Sequence, residues 1–258
     1  MTKFAAKEMK RLMGKAIHSL NMTEEGDRIL VSVSGGKDSM ALLWMLRERL
    51  RRIPIEYRIT AVHVDPGFGA DSASQLEDFL SEHDFEYRII KSDFGPRAHS
   101  AENRENPCFL CSRLRRKAVF ELASELGCNK IALGHHKDDV IETFFLNILY
   151  GASVSTMLPV QELFDGRLVV IRPLYLLDER IIRKYTELMG WPVIDLGCPT
   201  SVSSKRMDVK QMLNSLYRGN RKIKGNIFHA LQNVEPDYLP RMQGSDVIHQ
   251  GDKKITAG

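Results

Sequence analysis

The stretch Arg28-Ile-Leu-Val-Ser-Val-Ser-Gly-Gly-Lys-Asp-Ser39 decides the fold. Its first seven residues form a short run rich in β-branched side chains, which predicts a buried strand. Two glycines end the run, and apolar residues then recur at helical spacing over 37–52. Glycine lets backbone N–H groups face an anion closely, and a helix N-terminus carries partial positive charge. The residues from Ser34 to Ser39 therefore predict a phosphate-binding loop.

The side chains of this loop suit a nucleotide. Lys37 can neutralise phosphate, Asp38 can hold Mg²⁺, and the serines supply hydroxyl groups. The spacing matches neither the Walker A pattern nor Gly-x-Gly-x-x-Gly. A tight turn with a capping serine is the alternative, but all six residues together in a strand–turn–helix context favour a phosphate site.

Strands and helices alternate through the rest of the chain. Further strands are predicted at 57–64, 85–90, 130–133 and 168–171, and further helices at 72–83, 108–126, 138–149 and 178–189. This order predicts an α/β fold with a doubly wound parallel sheet, whose ligands bind at the carboxyl ends of the strands. We expect an N-terminal helical segment at 1–25, a catalytic domain at 26–200 and a basic helical tail at 201–258, frayed over 244–258.

Composition limits the class of protein. The 258 residues are 43% hydrophobic and 27% charged, which is typical of a globular chain. No apolar run approaches the roughly 18 residues of a membrane span, and the N-terminus lacks an export signal. We therefore expect a cytoplasmic protein without a membrane partner. Four cysteines are too few for a disulfide scaffold.

The positive charge is concentrated at the two ends of the chain. The formal net charge is +4, yet 205–224 carries seven basic residues against one acidic residue. Such a stretch indicates a polyanionic partner, usually RNA or DNA, although a solubilising surface is the alternative. Arg218, Arg221 and Lys222 are the candidate RNA-binding residues.

A second polar run, Gly134-His-His-Lys-Asp-Asp139, also follows a predicted strand. Asp138 and Asp139 could orient Mg²⁺ near phosphates. Acidic residues in the first turn of a helix are also favoured by its dipole alone. His135 and His136 have no assigned role.

Three of the four cysteines are candidate metal ligands. Cys108 and Cys111 open a cation-rich helix, where thiol pKa values should be lowered. Cys198 lies in a Gly-Cys-Pro turn, and Cys128 is typical of a small core residue. A zinc site would want a fourth ligand and a second close pair, and a redox disulfide would want a thioredoxin context. A three-cysteine [4Fe–4S] cluster with one open iron accounts best for the count.

The run from Ser34 to Ser39 resembles the signature of the PP-loop pyrophosphatase family. The resemblance implies that ATP adenylates a carbonyl or carboxylate oxygen and that the loop grips the departing pyrophosphate. The run 134–139 resembles the family's second element, which lines the nucleotide pocket.

The runs 107–116 and 130–139 are similar to the tRNA 2-thiocytidine synthetase branch of that family, and the similarity covers roughly 10–238. It implies a [4Fe–4S] cluster on Cys108, Cys111 and Cys198. The branch's fuller form has a second cysteine near Cys198, which this chain lacks.

The resemblance implies a tRNA sulfurtransferase that depends on ATP, Mg²⁺ and a [4Fe–4S] cluster. It would adenylate the C2 oxygen of an anticodon-loop cytidine, expected at position 32, and replace that oxygen by sulfur. The expected partners are tRNA, a sulfur donor such as a cysteine desulfurase, and a second copy of the chain. The alternatives are a 2-thiouridine or lysidine synthetase, or a non-catalytic RNA-binding module that uses zinc and nucleotide.

The expected catalytic residues are Lys37, Asp38 and Arg115. Arg115 is included because it lies four residues past Cys111, on the same helix face. The expected ATP-binding residues are Ser34, Gly35, Gly36, Lys37, Asp38, Ser39, His63, Val64, Asp65, Gly134, Asp138 and Asp139.

Overall fold

The computed structural model describes residues 2–69, 72–191, 194, 197–199 and 204–239. Its strands are β1 Arg28–Ser32, β2 Arg58–Asp65, β3 Tyr87–Lys91, β4 Lys130–Ala132, β5 Val160–Leu163 and β6 Leu168–Ile171. Its helices are α1 Thr2–Ser19, α2 Lys37–Leu50, α3 Ser72–Glu82, α4 Phe94–Ala98, α5 Pro107–Glu125, α6 Lys137–Gly151, α7 Glu179–Met189, α8 Lys205–Gly219 and α9 Ile223–Ala230, followed by a 3₁₀ turn at Pro236–Tyr238.

The strands form one sheet in the order β3-β2-β1-β4-β6-β5. The first five are parallel to their neighbours, and this confirms the predicted doubly wound α/β fold. β5 was not predicted, and it pairs antiparallel with β6 at the edge of the sheet. The sheet is therefore mixed. The sequence did not predict β5, because Gln161 and Glu162 at its centre interrupt the apolar run that marks a buried parallel strand.

The chain reverses direction across the sheet at β1. β2 and β3 lie on one side of β1, whereas β4 lies on the other. In sheets of this kind, the crevice at the carboxyl ends of the strands beside the reversal is the usual ligand site. Both polar loops predicted from the sequence follow strands that border this point.

Helices cover both faces of the sheet. Ile29 and Val31 of β1 belong to a large core shared with α1, α2 and α7, whereas Leu30 points into a second core that α5 covers. Because successive side chains of a strand alternate between faces, a five-residue strand supplies both cores.

The N-terminal helix is part of the main core. Met9, Met13 and Ile17 of α1 are fully buried, and α1 lies against α7. The predicted N-terminal helical segment 1–25 contains this helix. Its apolar face is continuous with the core beneath β1.

A buried ion pair joins the starts of β1 and β4. The carboxylate of Asp27 accepts hydrogen bonds from Lys130 Nζ and Asn129 Nδ2, each at 2.7 Å. Asp27 and Lys130 are both buried, so losing either partner would leave an uncompensated charge. This pair favours the observed register of the two strands.

The basic tail is folded onto the body. It forms two helices, α8 and α9, because Asn220 leaves helical geometry after α8. Val209, Leu213 and Phe228 are buried against Val140 and Ile141 of α6. The expected fraying of 244–258 concerns a stretch outside the described residues. Over the described ranges, every helix is too short or too polar to cross a bilayer.

Candidate functional site

The phosphate loop is braced by its own serines. The backbone N–H of Ser34 donates to Ser39 Oγ at 3.1 Å, and that hydroxyl donates to the Gly36 carbonyl at 2.9 Å. Gly35 has φ +81°, and a Cβ there would lie 2.9 Å from Ile194 Cβ. A glycine is therefore required for both backbone angle and space, and the turn delivers the start of α2 as an anion site.

Lys37 is held by two carboxylates. Its Nζ lies 3.0 Å from Asp38 Oδ2 and 3.0 Å from Glu179 Oε1, at the first residue of α7. Burial alone would lower the pKa of Lys37, but the two carboxylates outweigh it and the pKa is raised. The ammonium is therefore charged and available to an anionic ligand at neutral pH.

Asp38 has an open coordination position. In the described part of the chain, its buried Oδ1 has no hydrogen-bond partner, and His136 Nε2 lies 3.7 Å away. A buried carboxylate oxygen without a donor suits a hard cation. Mg²⁺ commonly takes one or two protein carboxylates and completes its shell with water and substrate phosphates. The donor set at Asp38 therefore fits the predicted Mg²⁺ site.

Asp138 and Asp139 are engaged by the protein itself. Asp138 accepts from the Glu179 backbone N–H at 2.9 Å and pairs with Lys224 at 2.5 Å. Asp139 accepts from the His136 backbone N–H at 2.9 Å, which caps α6. Both lie beside the phosphate loop, but Asp38 is the better metal ligand, because the oxygens of the other two are already used.

The two histidines of the second loop have different environments. Burial, with positive charge from Arg172 nearby, lowers the pKa of His135 to about 4, so the ring is neutral at pH 7. Arg172 Nε donates to its Nδ1 at 3.2 Å. His136 is buried between Asp38 and the start of α6, with ring nitrogens 3.4 to 3.7 Å from the carboxylates of Asp38, Asp138 and Asp139.

Gly134 brings the two loops together. A Cβ at this position would lie 3.0 Å from the Ser39 amide nitrogen and 3.2 Å from the Asp38 carbonyl oxygen. The end of β4 therefore packs directly on the first turn of α2, and only a glycine permits that approach. Ser34 to Ser39, Gly134, Asp138 and Asp139 thus meet in one crevice, as predicted.

The three expected ATP-binding residues at the end of β2, His63, Val64 and Asp65, have different environments. His63 is fully buried, and its Nδ1 lies 2.8 Å from the Val33 carbonyl oxygen, one residue before the phosphate loop. Val64 is buried in the second core, so its side chain cannot contact a ligand directly. Asp65 Oδ1 accepts from the Gly67 N–H at 2.9 Å and shapes the turn after the strand.

Three cysteines lie near one another. Asn106 caps α5 by accepting from the Cys108 and Phe109 N–H groups, which presents Cys108 and Cys111 on the first turn. Burial raises the pKa of Cys111, and the thiols of Cys198 and Cys108 contribute in the same direction. Cys198 therefore returns to the start of α5 from far along the chain, as its Gly-Cys-Pro turn suggested. Cys128 is buried in the second core.

The expected lowering of thiol pKa values is wrong for Cys111. The cost of burying the thiolate raises its pKa more than the positive charge of Arg115 lowers it. Over the described residues, no three His, Cys, Asp or Glu side chains are grouped closely enough for a single metal ion. A four-iron cluster places each thiolate on a different iron, so its ligands stand further apart. The three thiols therefore remain the candidate ligands of such a cluster.

Arg115 is within electrostatic range of both Cys111 and His63. Its positive charge acts on both Cys111 and His63, whose pKa is lowered mainly by burial and also by this arginine. Since His63 contacts Val33, the cysteine site and the phosphate loop are neighbours. The i, i+4 spacing predicts that Arg115 shares a helix face with Cys111, and its catalytic role stays a prediction.

The basic stretch divides into two groups. Arg206 pairs with Glu142 at 2.9 Å, Lys210 with Glu179 at 2.9 Å, and Lys224 with Asp138 and with Asp178 at 2.8 Å. These cations neutralise the acidic residues around the crevice. The remaining ones, Lys205, Arg218, Arg221 and Lys222, are exposed.

Arg218 and Arg221 line an open groove of about 830 Å³ with Gln211, Asn214 and Tyr217. Two guanidinium groups, two amides and an aromatic ring suit phosphates and unstacked bases. Lys222 lies outside the lining of the groove. The groove adjoins the crevice, because the ring centroid of Tyr217 in its lining lies 5.8 Å from Nζ of Lys224, which pairs with Asp138.

Comparison with known proteins agrees with this geometry. The PP-loop domain family matches residues 2–194. The chain is 40% identical over 252 residues to the tRNA-cytidine(32) 2-sulfurtransferase of Alkalilimnicola ehrlichii, covering 94% of this chain and 78% of the relative. It is 39% identical to that of Syntrophotalea carbinolica, covering 90% and 91%. The chain belongs to the tRNA-cytidine(32) 2-sulfurtransferase family of PP-loop proteins.

A solved structure shows the same fold. It is the U34-tRNA thiolase NcsA from Methanococcus maripaludis with its [4Fe-4S] cluster, which aligns with a TM-score of 0.74 and 23% identity. The alignment covers 93% of this chain and 81% of NcsA. The resemblance to PP-loop proteins, first made on the motifs alone, is thus confirmed for the family and for the fold.

Several residues of this family member's crevice were not predicted. Glu179, Asp178, Arg206, Lys210 and Lys224 complete the charge network around the phosphate loop. Glu179 lies in the first turn of the helix predicted at 178–189, and this position was the sequence signal that could have indicated it. Arg206, Lys210 and Lys224 belong to the basic stretch 205–224. Their charge alone predicted contact with RNA and not with the acidic residues of the crevice.

Gly134→Ala should weaken ATP binding on the order of tenfold, because the added methyl group must displace the first turn of α2. Isothermal titration calorimetry with ATP and Mg²⁺ would measure it. Gly151→Ala is the matched control, since nothing lies within 4 Å of a Cβ there. Equal ATP affinity in both variants would contradict the assignment of this contact.

Proposed function

We propose that this chain is an ATP-dependent tRNA sulfurtransferase that converts cytidine 32 of tRNA to 2-thiocytidine. The cytidine C2 oxygen attacks the α-phosphorus of ATP, pyrophosphate leaves, and sulfur then replaces the adenylated oxygen with release of AMP. The relatives named tRNA-cytidine(32) 2-sulfurtransferase support the reaction and the base.

One observation carries this proposal. The charge of Arg115 acts on Cys111, a proposed cluster ligand, and on His63, which contacts the Val33 carbonyl oxygen one residue before the phosphate loop. An enzyme that only adenylates would need the loop alone, and a metal-stabilised binding module would not need its cysteines beside a nucleotide site. The neighbouring placement of the two sites favours a reaction that uses both.

The chain's own residues account for the first step. The backbone N–H groups at the start of α2 and the ammonium of Lys37 stabilise the negative charge that gathers on pyrophosphate as it leaves. The open oxygen of Asp38 would hold Mg²⁺ against the phosphates. Arg115, near both sites, would hold a phosphate or the backbone of the extruded nucleotide.

Cys108, Cys111 and Cys198 would hold a [4Fe–4S] cluster. When bound through three cysteines, such a cluster supplies one iron without a protein thiolate, at which an incoming sulfur atom can be held. The thiols must be deprotonated to bind iron, and burial alone disfavours this for Cys111. We therefore expect cluster loading to release protons. A sulfur donor such as a cysteine desulfurase and a homodimer remain predictions.

Lys37→Ala and Asp38→Ala should each reduce tRNA-stimulated pyrophosphate release on the order of a hundredfold, because each removes charge stabilisation at the leaving group. Circular dichroism should show an intact fold. Lys117→Ala, at an exposed lysine of α5, serves as the control. If either loop variant releases pyrophosphate at the wild-type rate, the loop does not perform the adenylation.

Replacing Cys108, Cys111 or Cys198 by alanine should abolish iron binding and thiolation together while ATP affinity is retained. Cys128→Ala should keep a full cluster, because Cys128 is a core residue. Iron and sulfide assays after anaerobic reconstitution, with absorbance near about 400 nm, measure the cluster. A colourless wild-type protein, or iron lost from Cys128→Ala and retained in Cys198→Ala, would contradict the assignment.

Arg218→Gln, Arg221→Gln and Lys222→Gln combined should weaken tRNA binding and reduce its salt dependence by roughly one unit of slope for each lost phosphate contact. Fluorescence anisotropy over a salt series gives both values. The control combines Arg51→Gln, Arg52→Gln and Lys117→Gln, at exposed cations outside this stretch. Equal slopes in both triple variants would assign the tail a role in solubility.

A further inference from the structure

Glu179 connects two parts of the chain that have different expected ligands. Its Oε1 lies 3.0 Å from Nζ of Lys37 in the phosphate loop, and its Oε2 lies 2.9 Å from Nζ of Lys210 in α8. Each carboxylate oxygen thus holds one ammonium. The backbone N–H of Glu179 is anchored on Asp138 at 2.9 Å, so the carboxylate starts from a fixed point.

The carboxylate of Glu179 is ionised at physiological pH. Burial alone would raise the pKa of Glu179, but its hydrogen bonds to Lys210 and Lys37 lower the pKa to about 2. The three groups are largely enclosed, with side-chain exposures of 25% for Lys37, 19% for Glu179 and 37% for Lys210. A charged bridge in such partly enclosed surroundings is screened less than a surface pair.

The helix that carries Lys210 has two distinct sides. Val209 and Leu213 are buried against the body, and Lys210 reaches the carboxylate of Glu179 on that side. Arg218 lines the open groove further along the same helix. A continuous helix of 15 residues therefore joins the inward lysine to the outward groove.

We propose that Glu179 is a positioning residue that couples α8 to Lys37, so that RNA on α8 and ATP on the phosphate loop strengthen each other's binding. The proposal rests on the proposed function for the identity of the two ligands. The bridge itself stands on the geometry of three side chains.

The coupling follows from how one carboxylate divides its charge. While Lys210 neutralises Oε2, Glu179 attracts Lys37 less strongly, and the ammonium of Lys37 is easier to transfer to phosphate oxygens. If Lys210 withdraws, the full carboxylate charge competes with ATP for Lys37. RNA that holds α8 in its docked position therefore favours ATP binding, and linkage requires that ATP favour RNA binding by the same factor.

A double-mutant cycle tests the bridge without RNA. The probe is the α,β-methylene analogue of ATP with Mg²⁺, measured by calorimetry on the full chain. Lys210→Met should weaken its binding on the order of fivefold in the native background and less than about twofold in the Glu179→Gln background. In the described part of the chain, Glu179 is the carboxylate that contacts both Lys210 and Lys37, so an effect that disappears with Glu179 must pass through that carboxylate.

Two further variants separate positioning from general damage. Lys210→Arg keeps the charge and should restore most of the affinity. Lys10→Met removes a comparable lysine–glutamate pair, Lys10 with Glu48 at 2.6 Å, and should leave affinity unchanged in both backgrounds. An equal loss from Lys210→Met in both backgrounds, or no loss in either, would overturn the proposal.

The second experiment measures the coupling itself. In the wild type, a saturating concentration of the ATP analogue should tighten binding of unmodified tRNA by about fivefold or more. In Glu179→Gln, the same addition should change tRNA affinity less than about twofold. Wild-type protein that binds both ligands independently would overturn this inference alone. Wild-type protein that binds neither would instead contradict the proposed function.

Discussion

The pairing of β1 with β4 is the constraint on which the site depends. At one end, the buried pair of Asp27 and Lys130 favours the register of the two strands. At the other end, Gly134 packs on the amide of Ser39, which leaves no room for a side chain. The residues that separate these two contacts are few, so a shift of either strand would separate the phosphate loop from the second polar loop. The relative position of the two loops therefore depends on β4, a strand of three residues.

An ATP site lined by acids presents an electrostatic problem, because carboxylates repel phosphates. Here the solution is internal neutralisation. Asp138, Asp139, Glu142, Asp178 and Glu179 each contact a lysine or arginine, and most of these cations come from α8 and α9. Asp38 also pairs with Lys37, but its second oxygen has no hydrogen-bond partner in the described chain. The tail thus belongs to the active crevice as much as to any surface that faces RNA.

Local patterns predicted the parts of the fold that depend on local sequence. The strand, the glycine turn and the start of α2 follow from residues 28–39, and the helix predicted at 108–126 corresponds to α5. The edge strand β5 was missed because its middle residues are polar. The ion pairs of Arg206, Lys210 and Lys224 were missed because their partners lie between 31 and 86 residues away in the chain. For Cys111, the helix position was read correctly, but burial has the larger effect on its pKa.

The position of α1 has a consequence for how the protein is made. Its apolar face, with Met9, Met13 and Ile17, lies against α7, which begins about 160 residues later in the chain. At typical rates of synthesis, α7 leaves the ribosome on the order of ten seconds or more after α1. During that interval the methionine-rich face has no permanent cover. The core around α1 is therefore completed only when residues 179–189 have emerged.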